Sequence, residues 1–394
     1  MNAERSAGLA QTLLLLAGSC LPVLGAVLLA PVLPSMQAHF TDTPGAAVLV
    51  IIALTLPALM IALLAPVAGI LADRIGRRPL LLGAMVLYSV CGLLPIWLES
   101  LPAIVASRAG IGLAEAAIMT CCTALMGDYY SGARRERLFA LQMVATSLSA
   151  TIFIALGGVL GEHGWRAPFG LYAVGLLMLP LMAYWLWEPQ TATAAQGTPS
   201  VTHVFPWGKL APAYFLAAMA GISLFVVPVQ STHLLNLLHI DSPQQIGMTM
   251  GANQLGVLLG SLAFPLLARR PTQYLMALAF ILAGLGGWLM AVASTHVQLV
   301  IAVTINGLGV GMMIPTLLTW IMNQVTFSQR GHAAGGFTSA FFAGEFASPL
   351  VVLAVVGGAK VELTTALLIL ATAQALIALA CIAAGVRARR TLAN

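Results

Sequence analysis

Charge is what this sequence most lacks. Only 7% of its 394 residues are Asp, Glu, Lys or Arg, where a soluble domain carries roughly 25%. That scarcity excludes a water-soluble fold. The net charge of +5 does not indicate nucleic acid, because most of the cations stand in short connectors rather than in a patch. The five cysteines, Cys20, Cys91, Cys121, Cys122 and Cys381, all fall inside apolar runs. Neither disulfide nor metal-ligand spacing is present. No phosphate-binding glycine loop and no Ser-His-Asp set can be found, so the chain reads as neither an enzyme nor an ATP-driven pump, and no cofactor is expected. Arg5 with TLLLLAGSC after it resembles a secretory leader ending at Cys20, but the apolar run continues to about Pro34, too long for one. It reads as a first membrane helix.

What the chain has in abundance is hydrophobic residues, 60% of the total. They form twelve runs near the ~20 residues needed to cross a bilayer. The runs are 9–36, 46–72, 79–98, 102–126, 137–160, 166–187, 209–237, 244–268, 272–293, 296–323, 332–357 and 362–386. One connector, EPQTATAAQGTPSVTHVFPWGK, is polar and without apolar periodicity. It predicts an N-terminal six-helix bundle over 1–187, a cytoplasmic linker over 188–208 and a C-terminal six-helix bundle over 209–394. With the N-terminus inside, 14 of the 17 Lys and Arg residues lie on the cytoplasmic side and only Arg166 and Lys360 outside. The acidic residues of the loops divide evenly, as expected where cations alone set topology. Both termini are therefore expected in the cytoplasm. RRP recurs at 77–79 and 269–271, the equivalent connector of each half, as in carriers built from two repeats.

Three stretches carry a family resemblance. GILADRIGRRPLLL, residues 69–82, has Gly69, Asp73, Arg74, Gly76, Arg77 and Arg78 in the pattern of the loop that marks the major facilitator superfamily. LGAVLLAPVLP, residues 24–34, resembles the first helix of the twelve-helix drug:proton antiporters. SRAGIGLAEAA, from Ser107, resembles their fourth helix at Arg108 and Gly112. The fifth-helix stretch keeps Gly157-Gly158 but has Phe153-Ile154 where antiporters typically carry Gly-Pro. Gly69 predicts close helix approach, Gly76 a tight turn, and the charged cluster a latch between the bundles. The resemblance implies a monomeric carrier of a small molecule in a bacterial cytoplasmic membrane, among lipid, with the proton as coupling ion.

Candidate site residues follow from the price of charge in hydrocarbon, at least ~2.5–3.5 kcal/mol per group. Arg108 and Glu115 lie two helical turns apart, about 10 Å along the axis, too far for an easy pair. Glu115 can shed its charge by taking a proton; Arg108 cannot. Glu345 lies about as deep in the eleventh run. These three are the candidates for proton coupling. For substrate contact the same three are joined by Gln230, His233, Asn253, Gln254 and Asn306. The reading is proton-coupled export of a small amphipathic or cationic compound. The alternatives are uptake of an organic anion clamped by Arg108, and a non-transporting receptor or channel.

Overall fold

The computed structural model describes residues 7–189, 205–267, 269–325, 329–359 and 362–393. Most of the expected 188–208 linker lies outside the described residues, as do Arg5 and Lys360 and the side chains of Arg330, Arg389 and Arg390. Among the described residues there is no strand, and twelve helices are long and apolar enough to cross a membrane. They are α1 (Leu9–His39), α2 (Ala46–Ile75), α3 (Arg77–Ile96), α4 (Leu101–Tyr129), α5 (Gly132–Gly161) and α6 (Ala167–Trp185). The second six are α7 (Trp207–Leu237), α8 (Pro243–Leu267), α9 (Thr272–Val292), α10 (His296–Met322), α11 (Arg330–Ala359) and α12 (Leu363–Ala393). Several reach about 30 residues, some 45 Å of helix against a ~30 Å hydrocarbon core. The expected runs match these helices to within a few residues at most ends, and the helices at 132–161 and 363–393 extend furthest beyond theirs.

α1 is not continuous. Its α-helix stops at Val27, gives way to a 3-10 turn over Ala30–Val32 and resumes over Leu33–His39. Pro31 and Pro34 sit at the starts of these two pieces, where a missing N–H costs little. The break falls in the C-terminal part of the span.

Packing repeats six helices on. α4 runs between α1, α2 and α3, and α10 between α7, α8 and α9; α6 lies on α3 as α12 lies on α9. The halves meet along two seams, α5 with α8 and α2 with α11. Where odd-numbered helices end is here the distal face, and where they begin is the proximal face. One continuous apolar core holds the N-terminal half together with the distal parts of the other half, including Val227, Leu235, Ile246, Met250, Met290, Leu299 and Val352. The proximal part of the C-terminal half forms a core of its own around Ala217, Phe280, Met313 and Phe341. The bundles are joined distally and parted proximally.

Two glycine-rich stretches make the α5–α8 seam. GGVLG at 157–161 and GMTMG at 247–251 face each other, and a Cβ on Gly158 would stand 2.6 Å from the Pro243 carbonyl and 3.2 Å from the Gly247 Cα. GVLLG at 256–260 instead lies against α10 within the C-terminal half, near the Thr304 and Leu308 carbonyls. Gly307 returns that contact, its Cα turned onto the Asn253 backbone. Gly307→Val should therefore overpack α8 against α10 and cost ~1–3 kcal/mol or more. Gly83→Val, where no heavy atom lies within 4 Å of an added Cβ, should be neutral. Thermal unfolding in detergent separates the two, and equal melting temperatures would contradict this packing.

Candidate functional site

Arg108 lies on α4 with no solvent exposure. Its Nε donates to the Ala53 carbonyl of α2 at 3.0 Å, Nη2 to the Gly25 carbonyl of α1 at 2.5 Å, and Nη1 to the Tyr172 hydroxyl at 2.5 Å. Both carbonyls have lost their ordinary helical donor. The residue four after Ala53 is Pro57, which has no N–H. The residue four after Gly25 is Leu29, beyond the end of that helical segment at Val27. A buried carbonyl without a donor costs about 1–3 kcal/mol, and a cation suits the negative end of a helix. Arg108 thus ties α1, α2 and the start of α6 to α4. Tyr88 of α3 joins the same knot, its hydroxyl donating to the Leu21 carbonyl at 2.8 Å and its ring 5.1 Å from that of Tyr172.

Glu115 is equally buried but has no such arrangement. Neither carboxylate oxygen has a hydrogen-bond partner, and its relative exposure is 0%. It rests against the Gly25 Cα, and any Cβ there would collide with it. Gly25 is thus held between Arg108, which takes its carbonyl, and Glu115, which occupies its missing side chain. Glu345 on α11 is 4% exposed, and its Oε2 also has no partner. The two carboxylates come one from each half.

The remaining polar candidates divide. Asn253 donates to the Val303 carbonyl at 2.7 Å and approaches the Asn306 Oδ1 at 3.5 Å; Asn306 donates to the Ala283 carbonyl at 3.0 Å. These two staple α8, α9 and α10, so their amide donors are taken up in packing. Gln230 and Gln254 are buried and His233 is half-buried, and none of the three side chains makes a hydrogen bond among the described residues.

The charged turn between α2 and α3 lies at the proximal face. Gly76 has φ 97° and ψ 149°, a backbone state that side chains avoid. Arg77 pairs with Asp128 at the end of α4 and with Asp73 at 3.5 Å. The Glu188 carboxylate accepts the Arg77 and Arg78 backbone N–H groups, each at 2.8 Å, and Arg78 Nη2 donates to the Ala183 carbonyl at 2.6 Å. Arg74 is exposed. Asp73, Asp128 and Ala183 belong to the N-terminal half, and Glu188 directly follows it. The expected latch between bundles is, in this conformation, a clasp within one bundle, because the halves are parted at this face. The close helix approach expected at Gly69 is also absent: an added Cβ would find only a Thr120 methyl, at 4.0 Å.

Sequence reasoning missed Tyr172, Tyr88, Asp128 and Glu188. Asp128 was legible as an acid at the end of a membrane helix beside an arginine-rich turn. The tyrosines gave no signal, since their roles depend on which helices become neighbours.

A family model described as Major Facilitator Superfamily matches residues 15–349. The chain belongs to that superfamily. It is a family of transporters, and no enzymatic activity is attached to it. The class D tetracycline resistance protein of Salmonella ordonez is 25% identical over 81% of this chain and 82% of its own length. The class C protein of Escherichia coli is 34% identical over 39% of each chain. The 3-(3-hydroxy-phenyl)propionate transporter of Escherichia coli strain K12 is 26% identical over 50% of each. Matches of this second kind span only about 40 to 50% of the relatives' lengths. Crystal structures of the nucleoside transporter NupG (TM-score 0.71, 15% identity, 95% of this chain and 99% of that one) and of a peptide transporter (0.75, 16%, 95% and 94%) share the fold.

Arg108→Lys should fail to restore the knot, because one ammonium cannot span three acceptors from three helices. At least one buried acceptor is then left bare, at ~1–3 kcal/mol. A melting temperature several degrees lower in detergent is expected. Unchanged stability and activity with lysine would show that only a positive charge is needed.

Proposed function

We propose that this chain is a proton-coupled carrier that exports a small amphipathic or cationic organic compound across a bacterial cytoplasmic membrane. The two halves, 1–187 and 209–394 about a cytoplasmic linker at 188–208, rock around a site near mid-membrane. The cation bias of the loops supports placing both termini and the proximal face in the cytoplasm. The conformation is then one open to the cytoplasm and sealed outside.

The observation that carries this reading is Glu115. An ionised carboxylate with no partner in an apolar interior is prohibitively costly, and a neutral, protonated one is tolerated. Such a group holds a proton until something better balanced arrives, which a cationic substrate provides. Glu345 offers a second acid from the opposite bundle, so that both halves can respond as they move. The apolar surroundings suit a lipophilic compound. The tetracycline resistance relatives are consistent with export.

Uptake of a small organic anion is the second reading, favoured by the match to the hydroxyphenylpropionate transporter. It would use Arg108 as the clamp. With all three of its nitrogens engaged and no exposed surface, Arg108 is better assigned to positioning α1 around Glu115. A receptor or channel has no use for two buried acids on opposing bundles.

The test is transport in proteoliposomes under an imposed pH gradient, with a panel of lipophilic cations and aromatic carboxylates. Glu115→Gln and, secondarily, Glu345→Gln should insert normally and pass substrate downhill. They should lose accumulation driven by the gradient together with the wild type's pH dependence. A double variant that still concentrates substrate, with unchanged pH dependence, would sink the assignment.

A further inference from the structure

The distal seal contains a contact that the proposed proton site does not use. Glu162 follows the last residue of α5, in the N-terminal half, and is exposed. Its Oε1 accepts the Ser242 hydroxyl at 2.6 Å and the Gln244 backbone N–H at 3.1 Å. Both donors belong to the start of α8, in the C-terminal half. A helix start leaves its first N–H groups without internal partners. In α8 the first residue, Pro243, has no N–H to satisfy; Gln244 gives its own to Glu162, and Gln245 gives its own to the Ser242 Oγ at 3.4 Å. Ser242 therefore caps the helix locally, while the acid that completes the cap comes from the other bundle. Negative charge at a helix N-terminus is also favoured by the helix dipole.

We infer that Glu162 is a latch across the distal face, an N-cap supplied in trans to α8 that holds the distal seam shut. Three observations place it there. The cap sits directly above the seam where Gly158 meets Pro243 and Gly247 backbone to backbone, so the two helices cannot part without pulling Glu162 away. The hydrogen bond from Ser242, followed by that from Gln244, holds the Glu162 carboxyl below its ordinary range, which keeps it ionised, the form that accepts both donors. Of the charged groups on its own turn, His163 also favours the ionised form of Glu162, while Arg166 lies over the Trp165 ring and donates to the Leu98 carbonyl. Opening the distal face exchanges the cap for water, and the strength of the cap sets how often this occurs. The inference needs alternating access but not the assignment of Glu115.

Hydrogen–deuterium exchange of the purified full chain tests it, comparing wild type with Glu162→Ala, Glu162→Gln and Ser242→Ala. Glu162 is exposed, so these variants should fold. In Glu162→Ala and Ser242→Ala, exchange over 243–250 should be severalfold faster, with Glu162→Gln between them and wild type. A latch must also loosen what it does not touch. Exchange should rise at the α2–α11 seam, over 46–55 and 349–356, which a purely local cap would leave alone. Unchanged exchange over 243–250 overturns the inference, and so does a change confined to that segment.

Discussion

A backbone carbonyl deprived of its helical donor is a heavy liability where no water can replace it. Of the carbonyls so deprived in the N-terminal bundle, Arg108 answers two, that of Ala53 beside Pro57 and that of Gly25 at the break in α1. The same residue that looked like an expensive intruder in a hydrophobic run is what permits the prolines and the broken helix around it. Charge and backbone defects compensate one another, and four helices are brought to one point by the compensation. The C-terminal bundle meets the same problem with a neutral group at one place: Ser261 donates to the Gly311 carbonyl, whose own donor position is Pro315.

That accounting isolates Glu115. Its neighbours hold the backbone; it holds nothing. Its oxygens rest against Gly25, the residue whose carbonyl Arg108 takes, so the acid and the arginine act on one point of α1 from two sides. A change of charge on Glu115 is thereby felt where the first helix is already broken.

Much of this was legible before any coordinates. The twelve spans follow from composition, and the cost of charge in lipid directs attention to Arg108, Glu115 and Glu345. What was not legible is partnership. Whether Asn306 meets a ligand or a carbonyl depends on how α9 packs, and the 3.6-residue period says nothing of that. Whether Arg77 grips the other bundle or its own depends on the conformation adopted. Of the three glycine stretches, those at 157–161 and 247–251 meet each other across the halves, and neither pattern names the other. Glu162 carried no signal at all, since its donors lie about eighty residues away in the other bundle.

The asymmetry between the faces completes the account: sealed distally by a glycine seam and a shared cap, parted proximally, with an unpaired acid between. The claim on which the functional reading stands is that Glu115 carries a proton in the empty carrier. Infrared difference spectroscopy of the purified protein at neutral pH, wild type against Glu115→Gln, observes this directly. The account predicts a protonated carboxylic acid carbonyl band that is present in the wild type and missing in the variant. A difference spectrum showing only the paired bands of an ionised carboxylate would contradict it.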